Sequence, residues 1–204
     1  MKALLLVDLQ NDFLPGGALA VTCGDEVIEI ANRLQSKFEL VVASQDWHPA
    51  DHASFAANHP GKRPGDEISL DGRRQVLWPV HCVQNSPGAE LAPGLEKRLI
   101  RKTFAKGVDR HIDSYSAFFD NGHLRSTGLG EYLREQGVDE VYVLGLATDY
   151  CVKATALDAV ELGYRTWLIE DACRGVNLRS GDVERAIDEM RAAGVRVVRA
   201  GEVQ

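Results

Sequence analysis

Short apolar runs alternate with helix-period segments along this chain, and this alternation constrains the fold more than any other feature. Residues 3–7 form a continuous apolar run that ends at Asp8, which is typical of a strand buried on both faces. Strands that alternate with helices build βαβ units, whose strands form a mainly parallel sheet between helices. The pattern predicts strands over residues 3–7, 40–43, 98–104, 140–146, 164–169 and 195–198, and helices over 25–38, 130–136, 151–162 and 182–193.

The length of 204 residues suits one domain of ordinary size. We therefore predict a single three-layer αβα domain over residues 1–204, with a mainly parallel sheet of about six strands. Residues 44–97 lack periodicity and hold four of the six histidines. Because compact domains tolerate a long irregular stretch chiefly where it is functional, we predict that about 44–97 is an insertion that forms a site.

Composition limits the partners that such a domain can have. The net charge of −7 disfavours nucleic acid and anionic membranes, because both require a positive patch. The five apolar residues at 3–7 are too few for a signal-peptide core or a membrane span, so we expect a cytoplasmic protein. In that compartment the scattered cysteines are expected to be free thiols. A small-molecule substrate is the expected partner, and the sequence leaves a homo-oligomer open.

Reactive side chains follow the predicted strands. Ligands of open parallel sheets bind beyond the carboxyl ends of the strands, so residues at those ends are expected to share one site. Four predicted strands deliver such residues, namely Asp8, Asp46 with His48, Lys106, and Cys151.

Cys151 has the best-defined local context of the four cysteines. It lies beyond the strand that ends at Leu146, where a tight turn leads into a helix. The positive end of a helix dipole lowers the pKa of a thiol, and the free N–H groups there can hold an oxyanion. A buried, inert cysteine is the alternative reading of this position, and we keep that reading for Cys23, Cys82 and Cys173.

Asp8 and Lys106 are predicted to be functional chiefly because they could be partners of this thiol. Considered alone, Asp8 would be interpreted as a turn cap and Lys106 as a solvated surface residue. A nucleophilic thiol needs a base, however, and a buried carboxylate needs a cation. The three residues Asp8, Lys106 and Cys151 are therefore candidates for one catalytic unit.

A metal site is predicted from Asp46, His48 and His81. Two imidazoles and a carboxylate suit Zn²⁺, and also Fe²⁺ or Mn²⁺, and they leave positions open for water or substrate. His52 and His59 are nearby alternatives. The pattern is short, so turn and surface residues remain the competing interpretation.

Five motifs together resemble those of the nicotinamidases, which belong to the isochorismatase-like cysteine hydrolases. The resemblance runs from about residue 3 to about residue 200, and it is specific because the motifs occur in the family's order. They are Asp8-Leu9-Gln10-Asn11-Asp12-Phe13, Ser44-Gln45-Asp46-Trp47-His48-Pro49, Trp78-Pro79-Val80-His81-Cys82-Val83, Asp113-Ser114-Tyr115-Ser116-Ala117-Phe118-Phe119 and Gly145-Leu146-Ala147-Thr148-Asp149-Tyr150-Cys151-Val152.

The resemblance implies hydrolysis of nicotinamide to nicotinate and ammonia, commonly of pyrazinamide too, on a six-stranded parallel sheet. It implies Asp8, Lys106 and Cys151 as the catalytic triad and a divalent metal, zinc above iron or manganese. The implied metal ligands are Asp46, His48 and His81, with His52 or Ser54 left open as a further ligand. The expected substrate contacts are Phe13, Trp78, Ala147 and Thr148, with a cis peptide between the last two.

Three other functions compete with this interpretation. A carbamoyl or ureido amidohydrolase of the same family would share the triad but is not expected to keep the Asp46/His48/His81 motif. A vinyl-ether hydrolase of the isochorismatase type is disfavoured by the cysteine at position 151. An inactive metal-binding scaffold would leave all four thiols equally slow towards alkylation.

Overall fold

The computed structural model describes residues 1–203 and has one six-stranded parallel sheet. Its strand order is β5-β2-β1-β6-β7-β8. The strands are β1 (Lys2–Val7), β2 (Leu40–Asp46), β5 (Ile100–Lys106), β6 (Glu140–Leu146), β7 (Arg165–Arg174) and β8 (Arg196–Val198). This sheet confirms the predicted fold class.

Four α-helices accompany the sheet within the described residues. They are α1 (Glu26–Gln35), α2 (Leu129–Glu135), α3 (Lys153–Glu161) and α4 (Asp182–Ala192). Consecutive residues of β1, from Ala3 to Val7, are all fully buried, so helices and loops cover both faces of the sheet. None of the helices in residues 1–203 has the length and apolar character needed to cross a membrane.

The predicted element ends differ from the observed ones where the strands reach the site. Strand β2 continues to Asp46 and β5 continues to Lys106, so these polar residues are the last residues of their strands rather than followers of them. Each strand pairs with its neighbour to its last residue, and Asp46 lies opposite Lys106 in the register. The two side chains are therefore carried by backbone that is held in the sheet.

A β-hairpin in the 44–97 segment was missed by the pattern reading. Strands β3 (Glu67–Leu70) and β4 (Arg73–Val76) pair antiparallel beside the main sheet. The turn between them is Asp71-Gly72, and both residues have positive φ. An Asp-Gly pair between alternating residues is a strong hairpin signal, so the sequence held the information needed to predict this element.

The helical segment predicted over residues 151–162 begins at residue 148, with a π-helical turn that precedes the α-helix. Thr148–Val152 forms a π-helical turn that leads into α3. The cis peptide bond is Leu146–Ala147, so the prediction of Ala147–Thr148 was wrong by one residue. The carbonyl of Ala147 already accepts hydrogen bonds from the N–H groups of Tyr150 and Val152, which places the helical turn directly after Ala147.

The close contact of β1 with β6 generates a prediction about Gly145. This glycine has φ +132°, and a Cβ there would lie 2.1 Å from the carbonyl oxygen of Val7. We expect Gly145→Ala to lower the free energy of unfolding by about 2–5 kcal/mol, because overpacking and backbone strain add. Gly194 is a matched control, since it has φ +102° and no heavy atom within 4 Å of such a Cβ.

Urea denaturation measures both glycine variants under the same conditions. Gly194→Ala should lose only the backbone strain, about 1–2 kcal/mol. Equal losses for the two variants would show that the β1–β6 contact adjusts to a methyl group.

Candidate active site

Four strands deliver polar side chains to one edge of the sheet, as the pattern predicted. The side chains of Asp8, Asp46, Lys106 and Cys151 are all buried there. Asp8 directly follows β1 with φ +51°, an uncommon backbone conformation for a residue other than glycine. Cys151 lies in the π-helical turn after β6. The structure therefore brings together the three residues proposed as a catalytic unit.

Lys106 is the centre of this cluster. Its ammonium nitrogen lies 2.9 Å from Asp8 Oδ2 and 2.5 Å from Asp46 Oδ1, and the residue is 1% exposed. It also donates to the carbonyl of Ser114 at 2.9 Å and lies 3.4 Å from Cys151 Sγ. Burial alone would lower the pKa of Lys106, but the charges of Asp46 and Asp8 hold that pKa well above its usual value.

The link from Lys106 to Asp46 was not foreseen from the sequence. The strands that carry Asp8 and Lys106 are not neighbours, because β2 lies between β1 and β5. Because Asp46 ends that intervening strand, the long lysine side chain contacts both carboxylates. One cation thus connects the catalytic candidates with the metal-ligand candidates.

The two carboxylates respond differently to this shared cation. Burial raises the pKa of Asp8, and Lys106 only partly offsets that effect. Burial would raise the pKa of Asp46 as well, but Lys106 and then His48 hold it well below its usual value. Asp8 accepts a hydrogen bond from the hydroxyl of Ser44 at 2.7 Å. Asp8 is thus the carboxylate that gains a proton more readily.

Cys151 departs from the sequence-based expectation about its thiol. We expected a helix terminus to lower its pKa, but burial raises that pKa well above the usual value, and Asp8 and Asp46 add to the effect against Lys106. The residue is 7% exposed, and its sulfur and one carboxylate oxygen each of Asp8 and Asp46 all lie within 4.8 Å of one another. The resting side chain is therefore a thiol with a carboxylate close by.

The proposed metal ligands lie next to Lys106, which contacts one of them, Asp46. Asp46 Oδ2 is 3.6 Å from His48 Nε2 and 3.8 Å from His81 Nε2. Neighbouring ligand atoms of a tetrahedral zinc site are separated by about 3.4 Å when the bonds are about 2.1 Å long. The three donor atoms thus nearly form one triangular face of such a site, and a divalent metal fits them.

Backbone carbonyls orient both imidazoles towards this face. His48 Nδ1 lies 3.0 Å from the carbonyl oxygen of Gly107, and His81 Nδ1 lies 2.8 Å from that of Pro79. Protonated Nδ1 atoms donate to these oxygens, which leaves each Nε2 with a free lone pair for a metal.

The further metal ligand stays open between His52 and Ser54. These residues hydrogen-bond each other, with 2.7 Å between His52 Nδ1 and Ser54 Oγ. His52 forms a separate group of donor atoms with His48 and Asp113. Asp113 was quoted in a motif but given no role by the sequence analysis.

Gln10 and Asp12 hold the backbone at or beside two proposed metal ligands, Asp46 and His81, a role that the sequence alone did not reveal. Gln10 accepts from the N–H of Asp46 and donates to the Asp46 carbonyl, each at 2.8 Å. Asp12 accepts from the N–H of Cys82, next to His81, at 2.7 Å. Both residues belong to the first motif. Polar residues among apolar ones in that motif were the signal that could have indicated this supporting role.

A small aromatic cavity lies between the thiol and the metal-ligand candidates. Phe13, Trp78 and Ala147 line it as expected, whereas Thr148 is buried beside it and does not line it. The π-helical turn explains this difference, because Thr148 is its first residue and Tyr150 faces the cavity instead. Lining residues that the sequence analysis did not single out are Leu19, Asp113, Tyr115, Tyr150 and Val176.

Sequence comparison and structure comparison both find nicotinamidases among the proteins that are similar to this chain. The model of the isochorismatase domain matches residues 2–202. The chain is 56% identical to the nicotinamidase of Escherichia coli K12 over 197 residues, which cover 95% of this chain and 92% of that protein.

Two solved structures have the same fold over nearly the whole chain. A nicotinamidase/pyrazinamidase from Acinetobacter baumanii has a TM-score of 0.97 and 50% identity, covering 100% of this chain and 98% of that one. A pyrazinamidase from Pyrococcus horikoshii in complex with zinc has a TM-score of 0.79 and 39% identity, covering 97% and 98%.

The shared position of Lys106 generates a prediction about stability. Removing its charge leaves Asp8 and Asp46 buried together without a cation. We expect Lys106→Met to lower the free energy of unfolding by about 3–5 kcal/mol in metal-free protein. Adding Asp8→Asn should restore part of that loss, because one of the two buried charges is then gone.

A surface lysine provides the control for this measurement. Lys153 pairs with Glu189 at 2.9 Å where the Glu189 side chain is largely exposed, so Lys153→Met should cost less than about 1 kcal/mol. Urea denaturation compares the three variants. A Lys106→Met loss no larger than that of Lys153→Met would contradict the shared-cation interpretation.

Gly107 generates a prediction about metal binding. Its φ is +65°, and a Cβ there would lie 2.3 Å from Cε1 and 2.5 Å from Nδ1 of His48. We expect Gly107→Ala to displace the imidazole and weaken zinc binding about 10- to 100-fold, as loss of supporting contacts at metal sites does. Zinc affinity is measured by competition with a chromogenic chelator.

Gly137→Ala is the matched control, because Gly137 has φ +70° and nothing within 4 Å of an added Cβ. It carries the same backbone strain without a clash. If both variants bind zinc like the unchanged protein, His48 is not a ligand or tolerates the displacement.

Proposed function

This chain belongs to the family of isochorismatase domains, and we propose from that premise that it is a nicotinamidase. It hydrolyses nicotinamide to nicotinate and ammonia, accepts pyrazinamide as well, and serves NAD salvage in the cytoplasm. The observation that carries this proposal is an aromatic cavity that lies between a Cys–Asp–Lys cluster and an Asp–His–His donor set. One end suits amide chemistry and the other suits a ring nitrogen.

The first step forms a bond between Cys151 Sγ and the amide carbon. Asp8 takes the thiol proton as the sulfur attacks, so no free thiolate has to persist in the buried cavity. The raised pKa of Asp8 makes this carboxylate a stronger base for the thiol proton than an exposed aspartate would be. The carbonyl oxygen becomes an oxyanion, for which we propose the N–H groups of Ala147 and Cys151 as donors.

The second step breaks the carbon–nitrogen bond. Protonated Asp8 gives its proton to the leaving amine, so ammonia departs and a thioester on Cys151 remains. A water molecule, deprotonated by Asp8, then attacks the thioester carbon. Collapse of that intermediate releases nicotinic acid, which ionises to nicotinate, and protonated Asp8 returns its proton to the sulfur.

Lys106 stays protonated throughout this sequence. Its ammonium group stabilises the ionised form of Asp8 before proton transfer, and it favours negative charge on the sulfur 3.4 Å away as that charge develops. Its hydrogen bond to the Ser114 carbonyl fixes the direction of the side chain. Lys106 therefore acts by charge and position, and it exchanges no proton.

The metal of this proposal is a divalent ion, zinc before iron or manganese, held by Asp46, His48 and His81. When bound, it supplies a Lewis-acid anchor for the pyridine nitrogen at a distance from the scissile amide. Phe13 and Trp78 wall the ring between this anchor and the thiol. Such positioning of the carboxamide contributes up to about 7–11 kcal/mol to lowering the barrier.

The role of the metal-ligand set is tested by comparing nicotinamide with benzamide. Benzamide has the same shape and the same carboxamide but lacks the ring nitrogen. Its kcat/KM on metal-loaded enzyme should be lower by about 10²-fold if the lost interaction is about 3 kcal/mol. The measurement is ammonia release, with and without prior removal of metal by a strong chelator.

Removal of the metal should shrink this difference, because nicotinamide then loses the same anchor. His48→Ala should have a similar effect, whereas Cys151→Ala should release no ammonia from either amide. Equal kcat/KM values on metal-loaded enzyme would refute the anchor and favour the alternative, an amidohydrolase of carbamoyl or ureido substrates.

A further inference from the structure

Two cavities share one aromatic partition, which we define as Tyr115 and Tyr150. The reaction cavity lies on one side of this partition, next to Cys151. A larger outer cavity lies on the other side, and its volume is about 450 Å³. Both tyrosines line both cavities, so the partition is the common wall between them.

The reaction cavity is too small for an aromatic amide as it stands. Its volume is about 30 Å³. A cavity of about 150 Å³ is known to bind benzene, and nicotinamide is larger than benzene. One wall must therefore move before the substrate can bind between the thiol and the metal ligands.

Tyr150 is the wall residue best suited to move. The hydroxyl of Tyr115 accepts hydrogen bonds from Trp78 Nε1 at 3.2 Å and from Gln75 Nε2 at 3.3 Å, which fix that ring. The Tyr150 hydroxyl has no hydrogen-bond partner among residues 1–203. Its ring is held by edge contacts with Trp78 and Tyr115, at 4.8 and 5.5 Å between centroids, and behind it lies the open volume of the outer cavity.

We propose that Tyr150 is the gate of the reaction cavity and determines which ring substituents the enzyme accepts. This inference rests on the proposed function. Rotation of the Tyr150 side chain into the outer cavity joins the two volumes and admits the substrate. The closed ring then limits the size of the bound molecule on that side.

The position of a limiting substituent follows from the two anchors. The pyridine nitrogen and the carboxamide carbon are held at ring positions 1 and 3, so position 5 is meta to both and points away from both. A group at position 5 therefore meets the wall opposite the anchors. The partition is the wall with free volume behind it, so a group at position 5 that contacts the partition gains room when Tyr150 is replaced by a small residue.

Size rather than charge should decide what passes this wall. The cations of the outer cavity are matched by carboxylates, as in the pairs Arg74–Glu67, Arg185–Asp182 and Lys153–Glu189. The four cations and four carboxylates of the lining balance, so it is close to neutral.

The test compares nicotinamide with nicotinamide that carries a phenyl group at position 5, on metal-loaded enzyme. Tyr150→Ala should raise the ratio of kcat/KM for the substituted amide to that for nicotinamide by about tenfold or more. Tyr150→Phe should keep the original ratio, because the lost hydroxyl bonds nothing. Phe13→Ala widens a wall that does not border the outer cavity, so it should not raise the ratio comparably.

An alkylation measurement tests the gate without relying on the substrate. Cys151 is buried and Cys23 is exposed, so Cys23 serves as the internal reference for iodoacetamide. Tyr150→Ala should speed the alkylation of Cys151 about tenfold relative to that of Cys23. Peptide mass spectrometry measures both rates. If the unchanged enzyme does not hydrolyse nicotinamide, the proposed function fails, and this alkylation rate alone decides the gate. An unchanged Cys151 rate, or an unchanged substrate ratio in folded, active Tyr150→Ala, would overturn the gate.

Discussion

The buried ammonium group of Lys106 is the interaction on which the rest of this site depends. Two carboxylates, Asp8 and Asp46, lie in the same dry region, and neither could stay ionised there without a nearby cation. Because β2 separates β1 from β5, only a long side chain at the end of β5 contacts both. The cation therefore couples two proposed functions, because Asp8, the proposed base, and Asp46, a proposed metal ligand, share one counter-charge.

The burial of Cys151 reverses the direction of the pKa shift that its local sequence predicts. A cysteine at a helix start is expected to be acidic, yet the Cys151 thiol has a raised pKa because it is removed from water and faces two carboxylates. The same desolvation raises the pKa of Asp8. The same buried environment therefore sets the proton affinities of both groups. The thiol can stay protonated until the sulfur attacks, when Asp8 accepts the proton. A local motif predicts the position of a nucleophile, whereas its protonation is a property of the whole site.

The sequence predicted what depends on strand order along the chain and missed what depends on packing between distant segments. Asp8, Asp46 and Lys106 were found because parallel strands deliver their carboxyl ends to one edge. The contact of Lys106 with Asp46 depends on the lateral order of the strands, which no local pattern records. Tyr115 comes from a loop and Tyr150 from the π-helical turn after β6, and their contact depends on tertiary packing. The hairpin at Asp71-Gly72 is different, because its turn signal was present and went unused.

The small volume of the reaction cavity and the perturbed pKa values both reflect the exclusion of water from the site. Water admitted beside Cys151 would solvate the thiolate and both carboxylates, and it would weaken the electrostatic coupling to Lys106. A site that works through such coupling must exclude bulk water while admitting the one water molecule that hydrolyses the thioester, yet it must open for a substrate that exceeds its resting volume of about 30 Å³. A movable aromatic ring meets both requirements, because it excludes water when it packs against Trp78 and Tyr115 and it breaks no hydrogen bond when it leaves. Tyr150 directly precedes Cys151 in the chain, so the proposed gate and the proposed nucleophile share one backbone turn, and any shift of that turn affects both.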